Sequence, residues 1–261
     1  MKVKFLGTGT SMGVPLIGCK CAVCTSKDFR DKRLRSSILI NSKGKTILVD
    51  ASSDFRTQAL IFRIKKIDGI FITHPHADHV FGLDDTRIYY LREKRPMEIW
   101  GSSFTVENIR KLFFYAFEGK RDERLVKPSF NLHTIEQRQR IFGINVTPVF
   151  ALHGDMPVTG FRFDNLGYIT DFNFIEDKEV NKLKGVDTLI VGALRYTPSV
   201  SHLTIDRAIE FVGRVKPRIA YFTHFSHEIM HSKLEKELPS NIKPAFDGLE
   251  IFVRNKNGRN R

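Results

Sequence analysis

The sequence predicts an α/β fold in which residues 1–261 form one domain. Short apolar runs bounded by Gly, Asp or His recur along the chain, and longer segments with helical periodicity lie between them. The composition is that of an ordinary globular protein, with 41% hydrophobic and 27% charged residues. Three cysteines in 261 residues are too few for a disulfide scaffold, and the length suffices for a substantial buried core.

The apolar runs predict strands because several of them are rich in β-branched and aromatic residues. In chain order these strands are residues 3–6, 37–40, 46–49, 69–72, 98–100, 144–150, 158–163, 168–170, 188–191, 219–222 and 249–253. Apolar residues at helical spacing predict helices at residues 57–65, 83–92, 106–117, 205–215 and 228–237. Residues 120–127 and 181–185 are predicted to be charged surface loops, and neither resembles a domain linker.

Neither a membrane span nor a secretory signal is expected. No run of apolar residues reaches the length of about 18 that a spanning helix needs. The N-terminal residues MKVKFLGTGTSMGVPLIG contain two lysines, but glycines interrupt their apolar run and no small-residue cleavage site follows. We therefore expect a cytoplasmic protein.

The chain is strongly basic, with 42 Lys and Arg against 29 Asp and Glu, a formal charge of +13. Basic residues concentrate at positions 27–35, 63–66, 120–124 and 254–261. An anionic partner such as a phosphorylated metabolite or a nucleic acid would suit this charge, but scattered solubilising charges explain it as well. Charge alone therefore selects no function.

The chemically interesting side chains follow apolar strands directly. This holds for Asp50, His74, His153, Asp171 and His224. Loops at strand ends converge to build sites in α/β proteins, so we expect these five side chains to meet at one place.

The strongest motif is THPHADH, which places His74, His76, Asp78 and His79 within six residues. His74 and His76 are two residues apart, so an extended strand end directs both side chains to one side. Three imidazoles and a carboxylate this close repel one another and lose hydration unless a counter-charge is present. The motif therefore predicts a metal site.

The chain offers more ligands than one metal uses. A single catalytic metal keeps an open position and takes three or four protein ligands, whereas His153, Asp171 and His224 add to the four of the motif. Seven ligands suit two metals about 3.5–4 Å apart, bridged by a carboxylate and a hydroxide. The chemistry implied is hydrolysis at a binuclear centre.

This arrangement of HxHxDH and later His, Asp and His residues resembles the metallo-β-lactamase superfamily. The resemblance covers essentially the whole chain and implies a four-layered αββα sandwich with a dimetal site at one edge. It also implies that one metal is held by His74, His76 and His153, the other by Asp78, His79 and His224, with Asp171 between them. Asp50 matches a carboxylate that supports a ligand histidine, although a plain hydrogen-bond acceptor at a strand end would look the same.

A second cluster lies in CKCAVC, where Cys19, Cys21 and Cys24 follow a CxCxxC spacing. Without a secretory signal, three thiols this close indicate zinc ligands rather than disulfide partners. Zinc prefers a fourth ligand, and His227 in THFSH lies three residues after His224. We expect one structural Zn that ties the N-terminal loop to the last loop of the active site, with a redox-active cluster or incidental free thiols as alternatives.

The CxCxxC spacing, together with THPHADHVFGLDDTR, GYITD and ALRYTPSVSHLTIDRA, is similar to the PhnP-like phosphodiesterases. The resemblance implies hydrolysis of small cyclic phosphodiesters, such as 2′,3′-cyclic nucleotides or ribose cyclic phosphates, by a hydroxide that bridges two divalent metals, Zn or Mn. It places His202 at the scissile phosphate, where it stabilises charge or protonates the leaving oxygen, and lets Asp78 orient the nucleophile. A local hydrogen bond at a helix start would also explain His202.

Two details bear on this resemblance. Ser199 stands after Pro198 where many relatives have a further histidine, so any role of that histidine is missing here. Asp84, Asp85 and Arg87 match the family but are expected to support neighbouring residues or cap a helix.

Other functions share parts of the pattern. A tRNase Z-like RNA 3′-processing endonuclease shares HxHxDH, but no long Gly/Pro-rich insertion is available as a tRNA-binding arm. Thioester or lactam hydrolases share the motif without CxCxxC, and a non-catalytic metal or nucleic-acid-binding protein would be expected to have lost a ligand. A small phosphodiester is thus favoured over nucleic acid as the partner. A homodimer is implied by the resemblance, with residues 112–117 at its interface or in the core.

Overall fold

The computed structural model describes residues 1–117 and 127–254. Within these ranges, two seven-stranded sheets face each other and helices cover the outer face of each sheet. The four layers are helix, sheet, sheet and helix, so the predicted αββα sandwich is confirmed. The predicted basic stretch at 120–124, all but the first residue of the stretch at 254–261, and most of the predicted loop at 120–127 lie outside the described residues.

The first sheet contains the strands from the N-terminal half and one from the C-terminal end. They are β1 (Lys2–Gly7), β2 (Ser37–Ser42), β3 (Lys45–Val49), β4 (Gly69–Phe71), β5 (Met97–Gly101), β6 (Phe130–Thr134) and β14 (Glu250–Phe252). Their order is β14-β1-β2-β3-β4-β5-β6. Strands β3 to β6 run parallel, so their carboxyl ends share one edge of the sheet.

The second sheet contains the remaining strands in reverse chain order. They are β7 (Gln139–Ile141), β8 (Ile144–His153), β9 (Met156–Phe163), β10 (Leu166–Ile169), β11 (Thr188–Gly192), β12 (Ile219–Thr223) and β13 (Ile242–Pro244). Strands β7 to β10 pair in antiparallel fashion, and β10 to β13 are parallel.

Helices cover both sheets. The first sheet carries α1 (Phe55–Ile61), α2 (Ala77–Val80), α3 (Arg87–Glu93), α4 (Ser103–Leu112) and α5 (Phe114–Phe117), and the second carries α6 (Asp177–Leu183), α7 (Ile205–Val215) and α8 (His231–Glu237). Helix α7 begins where Thr204 Oγ1 accepts a hydrogen bond from the backbone N–H of Arg207, and ends at Lys216 in the left-handed conformation. Its apolar face, which includes Phe211, packs on the second sheet.

An aromatic cluster fills the space between the sheets. The ring of Phe71 stacks on Trp100 at 5.2 Å and meets Phe161 and Phe163 edge-to-face at 5.3 and 5.1 Å. Apart from Trp100, which is 8% exposed, these rings are fully buried, so the cluster joins the two sheets through a dry apolar contact. It anchors β4, the strand that leads into THPHADH.

Several elements differ from the sequence-based expectation. Strands β6, β7 and β13 and helix α6 were not predicted, and residues 181–183 of the predicted loop form the end of α6. Helix α1 ends at Ile61 rather than at residue 65, because Arg63 adopts a positive φ of 52°. The predicted helix at 83–92 is a 3₁₀ segment, Phe81–Thr86, followed by α3, and α8 begins three residues later than expected.

The stretch at residues 112–117 divides between core and surface. Phe113 is 5% exposed and packs beneath α4, whereas Leu112 and Phe114 are 42% and 56% exposed. Among the described residues, no helix has both the length and the apolar character needed to cross a membrane.

Candidate metal centre

Five strand ends deliver side chains to one edge of the sandwich. Asp50 follows β3, His74 comes three residues after β4, Asp171 follows β10 within two residues, and His224 directly follows β12. His153 is the last residue of β8, which extends three residues beyond its predicted end. The structure thus brings together the residues that the sequence predicted to meet.

Three of these residues adopt the left-handed backbone conformation that non-glycine residues usually avoid. Their φ values are 61° for Asp50, 51° for Asp171 and 62° for His224. This conformation costs about 1–3 kcal/mol at each position and persists only where surrounding contacts enforce it. Each strand therefore turns sharply at the residue that faces the site.

One group of donors consists of His74, His76 and His153, whose nearest ring nitrogens lie within 4.8 Å of one another. Nε2 of His74 is 3.1 Å from Nδ1 of His76. The ring of His153 is 5.7 Å from that of His74 and 5.2 Å from that of His76. His74 is buried and His76 is exposed, so this group reaches the mouth of the site.

A second group consists of Asp78, His79 and His224, again within 4.8 Å. The short helix α2 presents both Asp78 and His79, with Oδ2 of the former 3.2 Å from Nε2 of the latter. His224 Nε2 is 4.0 Å from the same Asp78 oxygen. All three residues are buried.

Asp171 lies between the two groups. Its Oδ1 is 2.9 Å from Nε2 of His224, and its Oδ2 is 3.6 Å from Nε2 of His79. The same carboxylate also lies within 4.8 Å of the nearest nitrogen of His74. One carboxylate thus borders both sets of histidines.

Hydrogen bonds behind the site fix the orientation of three histidine rings. His79 Nδ1 donates to Asp50 Oδ2 at 2.8 Å, while His74 Nδ1 lies 2.9 Å from Thr73 Oγ1, which also contacts Asp50. On the other side, His153 Nδ1 donates to the backbone carbonyl of Ser201 at 2.7 Å. Each bond leaves Nε2 directed into the site, as metal-binding histidines require.

Sequence reasoning included Asp50 but missed Thr73 and Ser201. Thr73 acts through a single hydroxyl and Ser201 through its backbone, so neither residue type carries a signal of its own. Asp84 and Arg87 form an ion pair outside the two donor groups, and Asp84 also accepts a hydrogen bond from Tyr115 at 2.7 Å.

Buried histidines and carboxylates of the site shift one another's pKa values. Burial disfavours the charged form of His79, but Asp50 and two further carboxylates outweigh it and hold the pKa of His79 well above its usual range. Burial also opposes ionisation of Asp171, yet His224 and His79 hold the pKa of its carboxyl well below the usual range. Despite its own burial, His224 has a pKa raised to about 9 by Asp171.

The donor set fits divalent cations. Among the residues that the structure describes, the buried atoms His79 Nε2, Asp171 Oδ2 and both ring nitrogens of His224 find no hydrogen-bond partner of good geometry. Buried polar atoms without partners are rare, and imidazole nitrogens and carboxylate oxygens are ligands that Zn²⁺ and Mn²⁺ accept. These atoms are therefore those that a bound cation would satisfy.

His202 stands beside both donor groups. Its ring centroid is 4.4 Å from that of His153 and 5.1 Å from that of His224, on which it stacks. Its Nδ1 is 3.6 Å from Asp171 Oδ1. Burial lowers the pKa of His202 to about 3, which leaves a neutral ring that can donate one hydrogen bond.

The cysteine cluster forms a separate group with His227. Nδ1 of His227 is 3.5 Å from Sγ of Cys19 and 3.5 Å from Sγ of Cys21, and Cys24 Sγ completes a set within 4.8 Å. The edge of a tetrahedron with Zn–S near 2.3 Å and Zn–N near 2.1 Å is about 3.6 Å. The cluster therefore has the dimensions of a zinc site.

The two clusters are joined by the backbone. Phe225 N–H donates to the carbonyl of Thr8 at 2.9 Å, and Thr10 N–H donates to the carbonyl of Phe225 at 3.0 Å. The N-terminal loop thus runs beside the segment from His224 to His227, which contributes to both clusters.

The chain matches the beta-lactamase superfamily domain over residues 45–225. The crystal structure of a new diphosphatase from the PhnP family is 37% identical, with a TM-score of 0.89 over 97% of this chain and 98% of that one. The octanoyltransferase of Porphyromonas gingivalis is 35% identical over 261 residues, which make up 98% of this chain and 52% of that protein.

Ribonuclease Z of Methanococcus maripaludis is 27% identical over 157 residues, 58% of this chain and 44% of that protein. The chain thus spans about half the length of these two curated relatives.

Proposed function

We propose that this chain, which belongs to the PhnP family of the metallo-β-lactamase superfamily, is a metal-dependent phosphodiester hydrolase that cleaves small phosphodiesters, cyclic ones included. The observation that carries this proposal is the pair of adjacent donor groups with Asp171 between them and His202 beside them. Two cations spaced across one carboxylate suit the displacement of an oxygen at phosphorus.

The residues divide into two ligand sets in this proposal. One Zn or Mn ion would be held by His74, His76 and His153, and the other by Asp78, His79 and His224. Asp171 would contribute to both sets. When bound, the cations lower the pKa of water toward neutrality and offset charge on the phosphoryl oxygens. The Asp78 carboxylate accepts a hydrogen bond from the attacking water and orients it.

The neutral His202 ring donates a hydrogen bond toward the phosphate. The acceptor is either a nonbridging oxygen, where negative charge grows, or the leaving oxygen. In the second case the ring must first take up a proton, because only its imidazolium form can give a proton to the leaving oxygen and return to the neutral ring. Stacking on His224 and contact with His153 hold the ring in place for this role.

The direct test is hydrolysis of 2′,3′-cyclic AMP by metal-stripped protein reloaded with Mn²⁺ or Zn²⁺. We expect turnover that returns with metal and is lost in His76→Ala, because the exposed His76 is a proposed ligand whose removal leaves the core intact. His133→Ala, a histidine on β6 distant in sequence from every proposed ligand, is the matched control. Fully loaded protein without turnover would contradict the proposal and direct attention to precursor tRNA and thioesters.

Esters with different leaving groups distinguish the two possible roles of His202. If it protonates the leaving oxygen, His202→Ala slows alkyl esters much more than nitrophenyl esters, whose leaving groups need no proton. If it stabilises charge on a nonbridging oxygen, both ester types slow by a similar factor, typically about 10²–10³ for a lost hydrogen-bond donor. An unchanged rate for both would remove His202 from the reaction.

A second candidate is hydrolysis of organic diphosphates. The observation that favours it is the 37% identity to the PhnP-family diphosphatase over nearly the full length of both chains. A nucleoside diphosphate in the same substrate panel distinguishes the two. If kcat/KM is higher for the anhydride than for the cyclic ester, the diphosphate is the preferred substrate rather than the cyclic ester.

We further propose that Cys19, Cys21, Cys24 and His227 hold one structural Zn. The pKa of the Cys21 thiol is lowered to about 6, chiefly because the backbone N–H of Cys24 donates a hydrogen bond to its sulfur. A lower pKa favours the thiolate, which is the form that zinc binds. Metal analysis of Cys21→Ser is expected to show the loss of one zinc per chain. Retention of the full metal content would instead indicate free thiols or a redox cluster.

A further inference from the structure

A cleft runs along helix α7. One wall is the segment after Asp171, which includes Asn173 and Phe174, and the other is the face of α7 that includes Arg207 and Glu210. We call this space the α7 cleft. It encloses about 550 Å³, within the range of small-molecule pockets.

Residues at one end of the α7 cleft are neighbours of metal-centre residues along the chain, and one of them is hydrogen-bonded beside His153. Asn173 Oδ1 accepts a hydrogen bond from the backbone N–H of Gly154 at 2.7 Å, directly after His153. The opposite wall starts at Leu203, the neighbour of His202. Phe174 is three residues from Asp171, so their Cα atoms are at most about 11 Å apart. This separation is within the length of a nucleoside attached to a phosphate.

Phe174 gives the cleft an aromatic surface. Its ring is 53% exposed although its backbone is fixed, because its carbonyl accepts a hydrogen bond from Leu152 N–H at 2.9 Å on the first wall. Below it, Phe172 and Phe211 are buried edge-to-face at 5.1 Å and form a rigid floor. A half-exposed ring on a rigid support suits stacking with a flat ligand.

The polar side chains of the cleft are partly unpaired. Arg214 pairs with Asp177 at 2.7 Å at the far end. Within residues 1–117 and 127–254, Arg207 and Glu210 are both exposed and neither forms an ion pair. Arg207 lies in the first turn of α7, nearest His202, where its guanidinium suits ribose or phosphate oxygens. The Glu210 carboxylate lies one turn further and accepts hydrogen bonds from amino groups.

From this arrangement we infer that the α7 cleft binds the nucleoside part of the substrate. The base stacks on Phe174, the sugar lies near Arg207, and an exocyclic amino group meets Glu210. The inference rests on the proposed phosphodiesterase function and deepens it, since it makes nucleotide esters the preferred class over phosphodiesters that lack a base.

The test compares 2′,3′-cyclic AMP with glycerol 1,2-cyclic phosphate, which has no base. In Phe174→Ala, the KM for the nucleotide is expected to rise relative to that for the glycerol ester by about 5- to 150-fold, the range typical of a lost base–aromatic stack. Phe174→Tyr keeps the ring and should restore the wild-type ratio. Phe252→Ala, which removes another exposed phenylalanine ring, on β14, should leave the ratio unchanged.

An unchanged KM ratio in Phe174→Ala, or an equal shift in Phe252→Ala, would overturn the inference while the phosphodiesterase function stands. If wild-type protein hydrolyses neither ester, the proposed function fails and equilibrium dialysis with AMP decides the inference alone. AMP binding that is weakened in Phe174→Ala would support the cleft. Binding that is absent in wild type or equal in both proteins would overturn it.

Discussion

Asp50 shows how one buried carboxylate controls the chemistry of its neighbours. It is fully buried, accepts hydrogen bonds from the backbone and hydroxyl of Thr73, and fixes the tautomer of His79. The Thr73 hydroxyl in turn forms a hydrogen bond with Nδ1 of His74 and so orients that ring as well. One side chain thus orients a histidine in each of the two donor groups.

We therefore expect Asp50→Asn to weaken metal binding by about 10- to 100-fold, the usual cost of losing such a partner. Metal content after dialysis against a graded chelator series measures this. Asp68→Asn is the control, since Asp68 is 1% exposed but lies next to lysines at the opposite end of β3 and β4. Equal metal loss in both variants would show that Asp50 supports only the fold.

At the scale of elements, the loop at residues 195–204 connects the two candidate clusters. It carries His202 at one end. Two backbone hydrogen bonds close its base, from Leu194 N–H to the carbonyl of Leu203 and from Ile205 N–H to the carbonyl of Arg195, both at 3.0 Å. Glu228, the neighbour of His227, accepts a hydrogen bond from Thr197 at 3.2 Å and lies 3.8 Å from Arg195. The cysteine cluster and the position of His202 are therefore mechanically linked.

Glu228→Ala should loosen this loop. We expect faster hydrogen exchange at residues 195–204 and a kcat lower by about twofold to fivefold, because exposed ion pairs contribute at most about 1 kcal/mol. Glu235→Ala is the matched control, since its carboxylate contacts Arg30 rather than the loop. Exchange rates that match the wild type in Glu228→Ala would contradict the link.

The sequence predicted some of these features better than others. The ligands in residues 74–79 are dense in sequence and need no knowledge of the fold, and β4 before them lies in a continuous apolar run. Strand β6 reads FNLHT, which is too polar to stand out, and β7 and β13 read QRI and IKP, which are too short for periodicity to detect. Helix α6 buries only Glu179, Val180 and Leu183, so its charged sequence resembled a loop.

At the scale of the whole molecule, a buried network ties the N-terminal region to the C-terminal one. Arg33 donates to Thr8 Oγ1 and to the carbonyl of Ala245, both at 2.8 Å, and lies 3.3 Å from Nδ1 of His231. Burial first, and then Arg33, lower the pKa of His231 to about 4. His231 must therefore stay neutral in the folded protein.

His231 makes an acid-sensitive contribution to the stability of the fold. The unfolded chain binds a proton at His231 near pH 6.5, whereas the folded chain resists protonation of this residue down to about pH 4, so the contribution of His231 to stability falls as pH drops through this window. The loss amounts to about 3 kcal/mol. Urea titrations across this range should show a shallower pH dependence for His231→Gln than for wild type, while the control His133→Gln should follow wild type. Identical profiles for His231→Gln and wild type would refute the assignment.

The joining of the chain's early and late segments also sets an order of events during synthesis. His79 leaves the ribosome about 145 residues before His224, which at about 5–20 residues per second is a delay of about 7 to 30 s. Strand β1 likewise cannot pair with β14, its neighbour at the edge of the first sheet, until the end of the chain has been synthesised. A nascent chain therefore exposes an incomplete set of histidines and thiols to cellular metals, and correct loading depends on the last segment to be made.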